Sequence, residues 1–152
     1  MYTDGAARGN PGPGGFGVVL IAGPHRKEFA QGFRLTTNNR MELMAVIYGL
    51  EMLKTTNLPV IIYSDSKYVV DAVEKKWVFG WAVKGFKGKK NSDLWIRFLK
   101  LYSKFRIKFV WVKGHADNEE NNRCDELAVA ASFEKNLLVD DYYEKQKNDG
   151  LF

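Results

Sequence analysis

The alternation of apolar and polar positions changes period several times along the 152-residue chain, and each change marks an element. The apolar start Met1-Tyr2-Thr3 reads as a strand closing at Asp4, followed by a glycine-rich turn through Gly9-Asn10-Pro11-Gly12-Pro13-Gly14-Gly15. Residues 16–21 and 28–33 read as strands on either side of a turn at Gly23-Pro24, so the first third is expected to be an antiparallel meander. The period then becomes helical. Between residues 41 and 54, Leu43, Val46, Ile47, Leu50 and Leu53 fall on one stripe, and Asn57-Leu58-Pro59 stops the helix before the β-branched run Val60-Ile61-Ile62-Tyr63. That run is a strand ending at Asp65, and a strand reached through a helix is expected to lie parallel to its neighbour. A short helix over 66–75, a helix over 92–103, a strand over 106–112 and a helix over 124–134 follow, with Ile107, Phe109 and Trp111 alternating along the strand. A last helix is expected over 136–146, within a solvated charged tail around Asp140 to Asp149. The fold class is α/β, a mixed sheet carrying helices.

Composition narrows the class without naming a chemistry. At 17.4 kDa, with 45% hydrophobic and 27% charged residues, the chain is expected to be one soluble domain spanning 1–152. Its core is expected over 1–134, with the helix and tail over 136–152 appended, since no linker or repeat divides it. Cys124 is the lone cysteine, which excludes an intrachain disulfide, and the start lacks the basic and apolar regions of a signal peptide. A reducing, cytoplasmic setting with no membrane association is expected. The net charge of +5 and pI near 9.2 favour an anionic partner, although basic solvated surfaces are common enough that charge alone assigns no function.

Four carboxylates change the picture. Asp4 and Asp65 read as strand-end acids; Glu42 reads as opening the helix after Thr36-Thr37-Asn38-Asn39, and Asp125 as standing near the start of another after Asn121-Asn122-Arg123. Singly, each has a plain structural role, as a turn residue for Asp4, a helix cap for Asp65, and a partner of the helix dipole for Glu42 and Asp125. Ser66 would cap its helix as well as Asp65, which leaves Asp65 available for a ligand. Gathered in one pocket, the four would repel one another unless cations held them, and hard divalent ions such as Mg²⁺ favour all-oxygen sites.

The text around these acids resembles that of type 1 ribonucleases H. The matching runs are Tyr2-Thr3-Asp4-Gly5, Gly9-Asn10-Pro11-Gly12-Pro13-Gly14-Gly15-Phe16-Gly17, Thr36-Thr37-Asn38-Asn39-Arg40-Met41-Glu42-Leu43, Ser64-Asp65-Ser66, Val112-Lys113-Gly114-His115-Ala116 and Arg123-Cys124-Asp125-Glu126-Leu127-Ala128. They occur in family order across nearly the whole chain. The resemblance implies a ribonuclease H-like fold with a mixed five-stranded sheet flanked by helices. It also implies a monomeric endoribonuclease that hydrolyses the RNA strand of RNA–DNA hybrids, leaving 5′-phosphate and 3′-hydroxyl ends. Asp4, Glu42, Asp65 and Asp125 are implied to bind two Mg²⁺ ions, with Mn²⁺ as a substitute, one ion activating water and the other stabilising the leaving oxygen. By the same resemblance Asp4 bridges both ions and Asp65 ligates the one that activates water. A loop histidine is ordinarily just solvated, but the match around His115 gives it an auxiliary role in moving a proton or releasing product.

Substrate contacts are also implied. Asn10, Asn38 and Asn39 resemble residues that touch the hybrid across its minor groove, where the RNA 2′-hydroxyl is read, and Thr37 resembles one that holds a DNA phosphate. The same residue types serve turns and caps. From Lys75 to Lys90 the chain has six lysines, no acid, and the aromatics Trp77, Phe79, Trp81 and Phe86. With Trp77, Trp81, Lys84, Lys87, Lys89 and Lys90 this segment resembles the family's basic protrusion that grips the DNA strand; the plain alternative is a helix packing both tryptophans on the core. Three departures stand out: a shorter protrusion between Phe86 and Leu94, Lys67 where glutamine is frequent, and three residues before Asp4 where the family's first strand is longer. The last leaves open a clipped strand or a start further upstream. With no hybrid-binding module ahead of the domain, modest processivity is expected. Two other classes share part of the pattern: a transposase or integrase-like DNA-processing core and a noncatalytic hybrid-binding module.

Overall fold

The computed structural model describes residues 1–114 and 117–149. Strands β1 (Tyr2–Ala7), β2 (Gly12–Ala22) and β3 (His25–Thr36) form the antiparallel meander, closed between β2 and β3 by the two residues Gly23-Pro24. Strands β4 (Pro59–Ser64) and β5 (Arg106–Trp111) add in parallel on the other side of β1, giving the order β3-β2-β1-β4-β5. This is the mixed five-stranded sheet expected. Met1 extends the β1–β4 pairing, its carbonyl accepting from Tyr63 N at 2.8 Å and its ammonium donating to Ile61 O at 2.8 Å.

The glycine-rich segment is mostly strand rather than turn. Only residues 8–11 turn, and β2 begins at Gly12, with Gly14, Gly15 and Gly17 inside it. A glycine here supplies a bare backbone against which a helix can lie. A Cβ on Gly17 would stand 2.4 Å from Cys124 O, and one on Gly5 would stand 2.3 Å from Met41 C. The first contact seats a helix from the second half of the chain, α5 (Glu119–Ser132), on the sheet; the second seats α1 (Asn38–Glu51).

Both of these helices start earlier than their apolar periodicity suggests, because side-chain caps and not hydrophobic residues set their first turns. Thr37 caps α1 by accepting from Arg40 N at 3.2 Å, and Asn118 caps α5 by accepting from Asn121 N at 3.1 Å. The helix α1 is buried nearly all round from Arg40 to Leu50, so its stripe understates its packing, and it stops at Glu51, leaving Leu53 outside. Helix α2 (Lys67–Glu74) is capped by Ser66, as expected, through Val69 N at 3.3 Å. Helices α3 (Trp77–Val83) and α4 (Ser92–Tyr102) form the basic segment and its support. Trp95 and Phe98 of α4 lie fully inside the core, and Phe98 meets Phe109 of β5 with ring centroids 6.1 Å apart.

The segment from Leu138 to Glu144 is docked, which corrects the expectation of a solvated tail there, while Lys145 to Asn148 are exposed as expected. Helix α6 (Asp141–Asp149) begins later than expected, and Asp140, just before it, is 4% exposed. Leu138 O accepts from Arg34 N at 2.9 Å, so the segment preceding α6 continues the outer edge of β3. Among the described residues no helix is long and apolar enough to cross a membrane.

Candidate active site

Three of the four acids meet at the mouth of one cleft. Asp4 lies in the middle of β1, Glu42 in the second turn of α1 and Asp65 just past the end of β4, and one carboxylate oxygen from each lies within 4.8 Å of the others. Asp125, from the middle of α5, lines the same cleft without joining that tight set. Only Asp65 therefore stands at an element boundary; the other three project from inside elements, where the sheet centre and the glycine contacts converge. Gly5 carries α1 so close to β1 that its own N–H donates to both Asp4 Oδ1, at 2.9 Å, and Glu42 Oε1.

Burial without compensation dominates the electrostatics. Asp4 and Glu42 are each 8% exposed and act on one another across the site, so ionisation of both is disfavoured when no cation is near. Loss of water pushes Asp4 up to about 6, the Gly5 amide and the Glu42 bond holding it down while Asp65 and Asp125 raise it further. Glu42 is pushed well above the carboxylate range, first by burial and then by Asp4 and Asp65. A donor set of three crowded carboxylates, with no cationic side chain holding Asp4 or Glu42 among the described residues, fits a hard divalent cation. Asn121, which lines the cleft, buries a side-chain oxygen that meets no donor among the described residues.

The cleft holds about 420 Å³ and is otherwise polar. Asn38 and Asn39 line it, and Asn38 Oδ1 accepts from Ala7 N, which leaves its amide N–H₂ for a ligand. Asn39 is exposed and lines both this cleft and a second pocket of about 540 Å³ that also includes Asn10, Thr37 and Lys90. Asn10 Oδ1 accepts from Asn38 N at 3.0 Å, so Asn10 serves the turn and reaches the second pocket at once. Thr37 likewise combines its cap with a place in that pocket. Lys67 lies at the cleft with its ammonium 4.4 Å from the centre of the Trp111 ring, and the Trp111 indole N–H donates to Asp65 O at 3.1 Å.

The two tryptophans of the basic segment part company. Trp81 packs edge-on against Trp95 with ring centroids 5.9 Å apart, so it anchors the segment to the core, with Lys89 4.8 Å above its ring. Trp77 is 49% exposed beside Lys75. Lys84, Lys87, Lys89 and Lys90 are all exposed, and of these Lys90 alone lines the second pocket. His115 lies outside the described residues. Sequence reasoning missed Tyr68, Asn118 and Asn122 on the cleft wall, and Asn91 and Lys147 at the second pocket. The run Asn121-Asn122 flanking Asp125 was the available signal for the first group; no periodicity points to the second.

The model of the RNase H family matches residues 1–133. The chain belongs to the ribonuclease H family. It is 54% identical over 151 residues to the ribonuclease H of Rippkaea orientalis, an alignment spanning 96% of this chain and 92% of that protein. It is 56% identical over 145 residues to the ribonuclease H of Desulforamulus reducens, spanning 92% and 91% of the two chains. Among solved structures, LC9-RNase H1, a type 1 RNase H, is similar with a TM-score of 0.73 at 31% identity, over 86% of this chain and 70% of that one. LC11-RNase H1 in complex with an RNA/DNA hybrid is similar with a TM-score of 0.68 at 28% identity, over 86% and 93% of the two chains. Membership of the ribonuclease H family makes the chain a nuclease and agrees with the acid cluster as a metal site.

Proposed function

We propose that the chain is a metal-dependent endoribonuclease that hydrolyses the RNA strand of RNA–DNA hybrids, with Mg²⁺ as its metal, held as two ions. The observation that carries the reading is the crowding of Asp4, Glu42 and Asp65 oxygens within 4.8 Å at the mouth of a polar cleft. When bound, the ions supply an activated water and neutralise charge on the leaving 3′ oxygen. The chain's own residues do the rest. Asp4, Glu42, Asp65 and Asp125 would hold the ions, which requires Asp4 and Glu42 in their ionised form. The free amide of Asn38 and the exposed Asn39 offer donors and acceptors suited to a ribose 2′-hydroxyl beside the acids. Thr37 and Lys90 offer phosphate contacts in the second pocket, where Asn10 serves as a minor-groove contact, and Trp77 with Lys84, Lys87 and Lys89 extends the grip along the basic segment. His115 takes the auxiliary proton-moving or product-releasing role.

The test is cleavage of a labelled RNA–DNA hybrid, single-stranded RNA and duplex DNA of one sequence, with Mg²⁺, Mn²⁺ or a chelator. Hybrid-selective, chelator-sensitive cutting giving 5′-phosphate ends is expected. Preference for duplex DNA would move the chain to the DNA-processing class, and binding of hybrid without any cutting to the noncatalytic class.

A further inference from the structure

Helix α6 is tied to the body by the Arg34–Glu144 ion pair, by a Ser92–Tyr142 hydrogen bond and, just before it, by a buried carboxylate whose partners flank the substrate-facing segment. Asp140 Oδ2 accepts from Thr36 Oγ1 at 2.8 Å and from Arg40 Nε at 2.7 Å, while its Oδ1 accepts from an Arg40 terminal nitrogen at 2.9 Å. Thr36 and Arg40 are the residues immediately before and after Thr37-Asn38-Asn39. The other edge of the Arg40 guanidinium forks onto Asp93 at 2.9 and 2.7 Å and reaches Asn91 Oδ1 at 3.3 Å, and Asn91 in turn donates to the Tyr68 hydroxyl at 3.0 Å. One fully buried cation thus fixes the direction of Asn91 as well as the start of α1. An apolar contact would hold α6 at least as firmly, because desolvation offsets much of a buried pair's attraction. What the pairing adds is orientation.

The second pocket shows what is oriented. Thr37, Asn39 and Asn91 form one side, and Tyr143, Gln146 and Lys147 of α6 form the other. We propose that α6 is a working wall of the nucleic-acid channel, in which Asp140 is a positioning residue for Thr37-Asn38-Asn39 and Asn91, and Lys147 contacts a backbone phosphate of the bound hybrid. The inference rests on the hybrid-cleaving reading. Arg40 cannot make that phosphate contact itself, since its donors are committed to Asp140, Asp93 and Asn91; Lys147 is exposed at the pocket's rim.

The full-length chain carrying Lys147→Ala, Asp140→Asn or Thr36→Val tests this, with KM, kcat and the salt dependence of hybrid binding measured beside the melting temperature. Lys147→Ala should leave kcat and the melting temperature unchanged, raise KM, and lower the log–log salt slope by about 0.7–0.9. Asp140→Asn should raise KM about fivefold or more, the worth of one hydrogen bond, with kcat close to wild type. If Asp140→Asn does not fold, Thr36→Val carries the positioning arm, since it removes one of the three bonds to Asp140 and keeps the side-chain shape. A tie that was merely structural would lower the melting temperature and leave KM alone well below it. Unchanged KM and slope in Lys147→Ala, with an active wild type, overturns the inference, and so does unchanged KM in folded Asp140→Asn or Thr36→Val. A wild type that cuts no hybrid overturns the functional reading beneath it instead.

Discussion

Asp4 sits desolvated beside Glu42 and Asp65, and that placement gives the metal-free protein an unusual pH dependence. An acid raised from an ordinary 3.8 to about 6 contributes stability that is complete below the lower value and lost as pH rises through the upper one. Glu42, raised as well by burial, acts with the same sign. The surface acids oppose it: Arg123 first and Arg26 second hold Glu28 down to about 2, and Arg26 lowers Glu120, so their contribution is lost as pH falls below an ordinary 4.5. Being exposed, those pairs are screened and contribute little. In chelator the melting temperature should therefore peak near pH 5 or so and fall toward about pH 7.5. Adding Mg²⁺ should restore it at the higher pH, and Asp4→Asn should shrink the decline, by roughly 1–3 kcal/mol at most. A melting temperature that is level over that range in the wild type would mean the acids do not repel. The same substitution, and Asp65→Asn, should abolish turnover while circular dichroism stays native, because an amide keeps the shape and removes the anionic ligand. Near wild-type Mg²⁺-dependent cutting by either variant would remove that residue from the site.

At the scale of elements, glycine placement decides how closely helices approach the sheet, and here sequence reading fell short. Gly12, Gly14 and Gly15 read as turn because glycine and proline mark turns, yet all three lie in β2, the strand in which Gly17 makes room for α5 and so places Asp125. The strand and helix types were legible from periodicity, and the mixed five-stranded sheet from the family resemblance, but not its strand order. The caps Thr37 and Asn118, which start α1 and α5 earlier, are polar and leave no hydrophobic trace. Asp140 was unreadable for another reason: its partners Thr36 and Arg40 lie a hundred or more positions away, and a charged residue near a terminus ordinarily faces water. Two substitutions to alanine separate packing glycines from idle ones. At Gly17→Ala the new Cβ meets the Cys124 carbonyl, so stability should fall by about 1–3 kcal/mol and the Mg²⁺ concentration for half-maximal activity should rise as Asp125 is displaced. At Gly80→Ala, inside exposed α3, the Cβ meets nothing within 4 Å, and stability should rise by up to about 1 kcal/mol. Equal effects from the two, read by denaturant unfolding, would show that α5 does not need the bare backbone.

For the whole molecule, the question is whether its positive charge works as a diffuse field or through particular contacts. A net charge of +5 raises the rate of encounter with any polyanion wherever the lysines sit, and that steering fades with salt. Counterion release is different, since only cations that lie against phosphates in the complex displace ions and set the equilibrium slope. Lys84, Lys87, Lys89 and Lys90 project from one segment that Trp81 and Phe86 anchor to the core, whereas Lys54, Lys100, Lys104 and Lys108 line neither the cleft nor the second pocket. Neutralising either group of four removes the same net charge. If the basic segment makes contacts, its variant should raise KM, leave saturated turnover near wild type, and lower the salt slope by about 0.7–0.9 for each phosphate lost. The second variant should slow association at low salt and leave the equilibrium slope intact. Association rates and binding isotherms over a range of salt concentrations measure both quantities on one hybrid. Matching slopes in the two variants would mean that the field of the whole protein, and not the segment between Trp77 and Lys90, holds the substrate.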